Sequence, residues 1–115
     1  MTDDEKRAVV SDLLQVYAQA VNLENTLWLR GKAADANAAE KRADQIGKQI
    51  DALRADLWGS WQGQANTVRQ QLVNAQQGLS SSITDIENNI STAQTVVKAI
   101  GYLDTVINIA AGILI

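Results

Sequence analysis

The chain has 115 residues, 46% of them hydrophobic, which is enough for one domain with a core and too short for two. It contains no Pro, Cys, His or Phe, so disulfides, thiol nucleophiles, imidazole bases and the usual zinc ligand sets are excluded. Ten basic against thirteen acidic residues give a net charge of −3, which argues against duplex nucleic acid as a partner.

The chain starts Met1-Thr2-Asp3-Asp4-Glu5, acidic where a secretory signal would be basic and followed by no long apolar run. The expectation is therefore no Sec signal, and a protein that is cytoplasmic or exported by a non-Sec route. Residues 1–60 hold eighteen of the twenty-three charges and residues 61–115 only five, with Gln, Asn, Ser and Thr as the polar residues of the second half. Such sparse charge suggests a covered or neutral polar surface there.

Periodicity is helical from end to end. Val10, Leu14, Tyr17, Val21 and Trp28 form one stripe, and after an eleven-residue step Ala39, Ala43, Ile46, Ile50, Leu53 and Leu57 resume it. Read as a continuous coiled-coil seam with one insertion, this predicts a helix over 3–57. Trp58-Gly59-Ser60-Trp61-Gln62-Gly63 supplies the turn, 58–63, with Ser60 placed to cap the second helix. That helix is predicted over 64–112, its seam running through Trp61, Leu72, Ile83, Ile86, Ile90, Val97 and Ile100.

The predicted fold is therefore all-α, a single helical domain over 1–115. Its two long helices form an antiparallel hairpin with arms of about 75–80 Å that assembles into a bundle. Tyr17 would then lie level with Tyr102. The alternative is a compact four-helix bundle, with breaks near Arg30-Gly31-Lys32 and near Gly78-Leu79-Ser80-Ser81-Ser82; Thr84 and Glu87 match a capping box there.

The tail is apolar, with an uncharged run after Asp104 that ends Gly112-Ile113-Leu114-Ile115. In the hairpin register it faces Asp4-Glu5-Lys6-Arg7, which cannot cover it, so a partner must. Leu103, Ile107, Ile109, Ile113, Leu114 and Ile115 are the residues expected to dock that partner, a second copy or another helical protein. Residues 96–115 are also the segment through which a membrane would be contacted, as in a pore-forming component or fragment.

No catalytic, cofactor-binding or metal-binding residue is expected, and the chain is read as a non-enzyme. Glu40, Asp44 and Asp51 alternate with Lys41, Lys48 and Arg54 as a mixed solvated face, and Ser80-Ser81-Ser82 has neither a base nor a glycine elbow. The basic residues are interleaved with acids, so no nucleic acid is expected.

Ser60-Trp61-Gln62-Gly63-Gln64-Ala65, midway along the chain, resembles the Trp-x-Gly turn of the WXG100 (ESAT-6-like) family. Members are small cysteine-free helical hairpins exported by type VII systems, usually as hairpin dimers. The resemblance implies that Trp61 and Gly63 are the signature pair and that the protein is a secreted effector or toxin-associated binder. The functional expectation is thus a non-enzymatic helical interaction protein that acts by self-association or by binding a partner's helices.

Overall fold

The computed structural model describes residues 1–114 and is all-α, with four helices: α1 (Asp3–Leu29), α2 (Ala33–Ala55), α3 (Ala65–Glu87) and α4 (Thr92–Ala111). The two-helix hairpin is not formed. The molecule is a four-helix bundle 43 Å long and about 20 Å across.

The hairpin fails at two places where the chain reverses. After α1, Gly31 takes φ +71°, a left-handed conformation that turns the chain back on itself within residues 30–32. The eleven-residue step from Trp28 to Ala39 spans this turn, where a continuous helix is the wrong reading. The second reversal lies at residues 88–91, with Asn89 at φ 57° and Ser91 at φ 44°. It does not lie at Gly78–Ser82, which is inside α3. Thr84 is mid-helix as well, its Oγ1 donating to the Ser80 carbonyl at 3.1 Å instead of capping a new helix. Ser60 caps nothing: the N-cap of α3 is Gln64. Among the described residues the one full capping box is at the start of α1, where Thr2 and Glu5 satisfy each other's backbone N–H.

Each helix turns one heptad-spaced stripe inward. In α1 it is Val9, Leu13, Val16, Ala20, Leu23 and Leu27; in α2 Ala36, Ala39, Ala43, Ile46, Ile50 and Leu53. In α3 it is Val68, Leu72, Ala75, Leu79, Ile83 and Ile86; in α4 Val96, Ala99, Leu103, Val106 and Ala110, extended beyond the helix by Ile113. Steps of three and four on every helix are the pattern of a left-handed bundle.

Neighbours around the bundle run α1, α2, α4, α3 and back to α1. The short 30–32 and 88–91 turns make α1/α2 and α3/α4 antiparallel hairpins. The hairpins meet with α1 parallel to α3, shown by a constant offset of 57 residues in Asp12–Arg69 and Gln19–Gln76. At the far end of that seam the Arg30 guanidinium donates to the carbonyls of Ile86 (3.0 Å) and Glu87 (2.6 Å). Arg42 pairs with Asp104 at 2.9 Å, and Gln49 donates to the Ile107 carbonyl at 2.9 Å, tying α2 alongside α4.

The connection from α2 to α3, residues 56–64, crosses the end of the bundle diagonally. Lys6, buried at the base of α1, donates to the carbonyls of Leu57 (2.7 Å) and Gly59 (2.6 Å) and lies 5.5 Å from the Trp61 ring centroid. Trp61 Nε1 donates to the Asp56 carbonyl at 2.8 Å, and the Gln62 N–H donates to the Ile113 carbonyl at 2.7 Å. The loop is thus bound to the first helix and to the tail at once.

The apolar tail finds its cover inside this chain. Leu103 and Ile113 are buried in the core, while Ile107, Ile109 and Leu114 are half-buried and packed against it. No described helix is long and apolar enough to cross a membrane.

Candidate functional site

α1 carries more apolar surface than the core uses. Beside its inward stripe runs a second, displaced by one residue: Val10, Leu14, Tyr17, Val21 and Trp28. Val10 is buried and Val21 half-buried, but Leu14 is 37%, Tyr17 36% and Trp28 47% exposed. The helix surface around them is almost free of charge. Between Arg7 and Glu24 the only ionic residue of α1 is Asp12, whose carboxylate is turned to the other side, 2.8 Å from Arg69 of α3.

Facing this stripe, α2 presents Glu40, Asp44, Gly47, Asp51 and Arg54 at steps of four and three. Gly47 leaves room for the tyrosine: a Cβ there would stand 3.3 Å from Tyr17 Cε2. The result is a shallow groove along the outside of the α1/α2 hairpin. Arg7, Val10, Ser11, Leu14, Arg54 and Leu57 line its lower part. Tyr17, Gly47, Ile50 and Asp51 continue it upward. Below Leu57 stands Trp58, 93% exposed, on the loop that Lys6 holds in place.

Charge divides the groove by its ends. Arg7 and Arg54 stand at the lower end, Arg7 3.9 Å from the exposed Asp4 carboxylate and sharing a hollow with Asp3. Glu24, Glu40 and Asp44 stand at the upper, with Lys41 and Lys48 on the same helix as the last two. The Glu24 carboxyl is held above its ordinary range, first by partial burial and then by the nearby charges of Glu40 and Asp44. No ion pair neutralises these three acids among the described residues.

The opposite hairpin has a groove of another character. Asn74, Gln77, Ser81, Asp85, Lys98 and Tyr102 line a polar channel between α3 and α4. The second half of the chain is poor in charge because its exposed positions are neutral and polar: Gln70, Gln71, Asn74, Gln77 and Ser81 all face water. Among the described residues no group of three carboxylates is gathered closely enough to hold a metal ion.

The residues singled out from sequence are scattered by the fold. Trp61 is buried at the bundle base, and Gly63 has φ +86°, a conformation that favours glycine. The Trp-x-Gly segment therefore lies in a loop across the end of a four-helix bundle, not at the tip of a two-helix hairpin. Leu103 and Ile113 are inside, so a partner reaches them only if the bundle opens. Ile107, Ile109 and Leu114 show part of their surface, and Ile115 lies outside the described residues. Ile90 and Val97, placed on the seam by periodicity, are 53% and 72% exposed, because the chain turns between them and the Ile86 position.

Sequence reasoning takes Trp58 only as part of the turn and the Leu14/Tyr17/Trp28 stripe as core. The signal that separates the two stripes is the uncharged surface of α1 between Arg7 and Glu24, combined with an apolar arc too wide for one contact face.

The chain matches no protein-family model, no curated protein and no solved structure.

Proposed function

We propose that the protein is a non-enzymatic helix-docking module, and that the outer α1/α2 face is where it binds. One observation carries this reading: α1 keeps a second apolar stripe, with Leu14, Tyr17 and Trp28 each more than a third exposed, after its first stripe has filled the core. Apolar and aromatic residues gathered where charge is sparse are the composition of interface centres, and the charges toward the two ends form the rim, with Asp51 as an acid within the groove.

The occupant that fits is a helical protein surface with apolar residues at steps of three and four. It is acidic where it meets Arg7 and Arg54 and basic where it meets Glu24, Glu40 and Asp44. Trp58 and Trp28, at opposite ends of the face, are the residue type that most often anchors such contacts.

The reading is tested with a designed single-helix peptide that has leucines along one face, glutamates at one end and lysines at the other. Titrated onto isotope-labelled protein, it should shift the resonances of Leu14, Tyr17, Val21 and the Trp28 and Trp58 indoles, and leave α3 and α4 unmoved. Leu14→Lys should abolish the shifts. No perturbation of this face at millimolar peptide would overturn the reading.

A further inference from the structure

We infer that the natural occupant of the α1/α2 face is a second copy of this chain, seated antiparallel about a two-fold axis close to the Tyr17–Gly47 contact. The inference rests on the helix-docking reading above and names its partner.

The charges of the face are placed for such a pairing. Halfway along α1 between Arg7 and Glu24 lies the step from Gln15 to Val16, flanked by Leu14 and Tyr17. Halfway along α2 between Asp44 and Arg54 lies Gln49, two residues from Gly47. Tyr17 and Gly47 touch, so both midpoints fall at one level of the bundle. A two-fold axis through that level exchanges the ends of the face. It brings Arg7 and Arg54 of each copy over Glu24 and Asp44 of the other, and leaves the apolar centres facing each other. Such a self-complementary patch is what an isologous dimer requires. Asp51 is the one acid near the centre, and it lies one helical turn from Lys48.

Two further features agree. Glu24, Glu40 and Asp44 make no ion pair within 4 Å among the described residues, although Lys41 and Lys48 stand on the same helix as the last two. The Glu24 carboxyl is held up first by its partial burial and then by Glu40 and Asp44. The exposed Trp58, beyond the basic end, would come level with Trp28 of the other copy. The face from Arg7 to Trp28 is about 30 Å long and about two helix diameters wide, so a pair would bury roughly 1,200 Å² in all. That is the lower edge of specific interfaces, and the expected dimer is a reversible one, forming at about micromolar concentration.

Charge reversal in halves provides the test, read by sedimentation equilibrium. One variant carries Arg7→Glu with Arg54→Glu; the other carries Glu24→Lys with Asp44→Lys. The altered positions are solvated or half-buried, and circular dichroism would verify that each variant is folded. The wild-type chain should dimerise, and each variant alone should associate at least tenfold more weakly. An equimolar mixture should recover a dimer of near wild-type affinity, because both ends are again matched. Orientation is read from salt: a parallel wild-type pair would set Arg7 on Arg7 and Glu24 on Glu24, so added salt should weaken the dimer if the copies are antiparallel, and a dimer strengthened by salt overturns the two-fold arrangement. A wild-type chain that stays monomeric to millimolar concentration, or a mixture without rescue, overturns the inference. If the chain is monomeric yet the designed peptide still binds, the second copy alone is rejected; if the peptide also fails, the docking reading falls with it.

Discussion

The Tyr17 ring lies against the backbone of Gly47, close enough that a Cβ on that glycine would be 3.3 Å from Cε2. The same device recurs on the other hairpin, where a Cβ on Gly78 would overlap the ring of Tyr102. Each hairpin is thus closed by one tyrosine crossing one helical glycine. In the first hairpin the tyrosine also forms the floor of an apolar groove; in the second it borders a polar one.

Glycine substitutions should separate packing from propensity. Gly101 is exposed and has nothing within 4 Å of an added Cβ, so Gly101→Ala should raise stability by about 0.5–1 kcal/mol. Gly78→Ala gains the same propensity but displaces the Tyr102 ring, and should be net destabilising by about 1–2 kcal/mol. Urea unfolding followed by circular dichroism distinguishes them. Equal effects would mean that the tyrosine contact contributes nothing.

Lys6 is the hinge pin of the bundle base. It is buried without a carboxylate, and its charge is met by the Leu57 and Gly59 carbonyls and the Trp61 ring. Lys6→Met keeps the stem but strands two partly buried carbonyls, with an expected loss of about 2–3 kcal/mol. Because the same loop holds Trp58, the variant should also broaden the Trp58 indole resonance. A stability change under about 0.5 kcal/mol would show that water replaces the ammonium freely.

Asp12 and Arg69 join α1 to α3 with only one partner in water: the Asp12 side chain is 8% exposed and that of Arg69 48%. Asp12→Ala should cost about 1–2 kcal/mol and Arg69→Ala somewhat more, since the latter leaves a largely buried carboxylate unpaired. A double-mutant cycle should give a coupling of about 1 kcal/mol. Strict additivity would argue against a specific pair.

These contacts show which parts of the fold were legible. The core stripes of α2 and α3 follow from spacing alone, because each helix has one apolar stripe and the rest is polar. In α1 two apolar stripes lie side by side, and period alone cannot choose between Leu13 and Leu14 or between Val16 and Tyr17. The larger aromatics favour the outer one. In α4 the same ambiguity puts Val97 on the seam by spacing, whereas Val96 is the buried residue. The turns at Gly31 and at Asn89–Ser91 involve too few residues to outweigh an unbroken helical pattern without Pro, yet three left-handed residues there reverse the chain. The tail reads as uncovered only in the hairpin register, which puts charged residues opposite it.

The Glu24 carboxyl should make stability depend on pH with a definite sign. Its pKa is raised in the folded chain, so the protonated form favours folding below the ordinary carboxylate value, and that contribution is lost as pH rises through the raised one. Glu24→Gln should therefore gain on the wild type as pH rises through that window, by a small amount because the group is partly solvated. In a dimer the other copy's Arg7 and Arg54 would favour the ionised form, so the difference should shrink as protein concentration increases. A difference independent of both pH and concentration would contradict the placement of these charges.

Disulfide trapping reports the contact between two copies without ambiguity, since the chain has no cysteine. Leu14→Cys places a thiol near the proposed axis, and Gln77→Cys places one on the polar α3/α4 side. Under mild oxidation at micromolar concentration, the account predicts a covalent dimer from Leu14→Cys and little or none from Gln77→Cys. Equal trapping at the two positions, or none at Leu14→Cys, would contradict self-docking through the outer α1/α2 face.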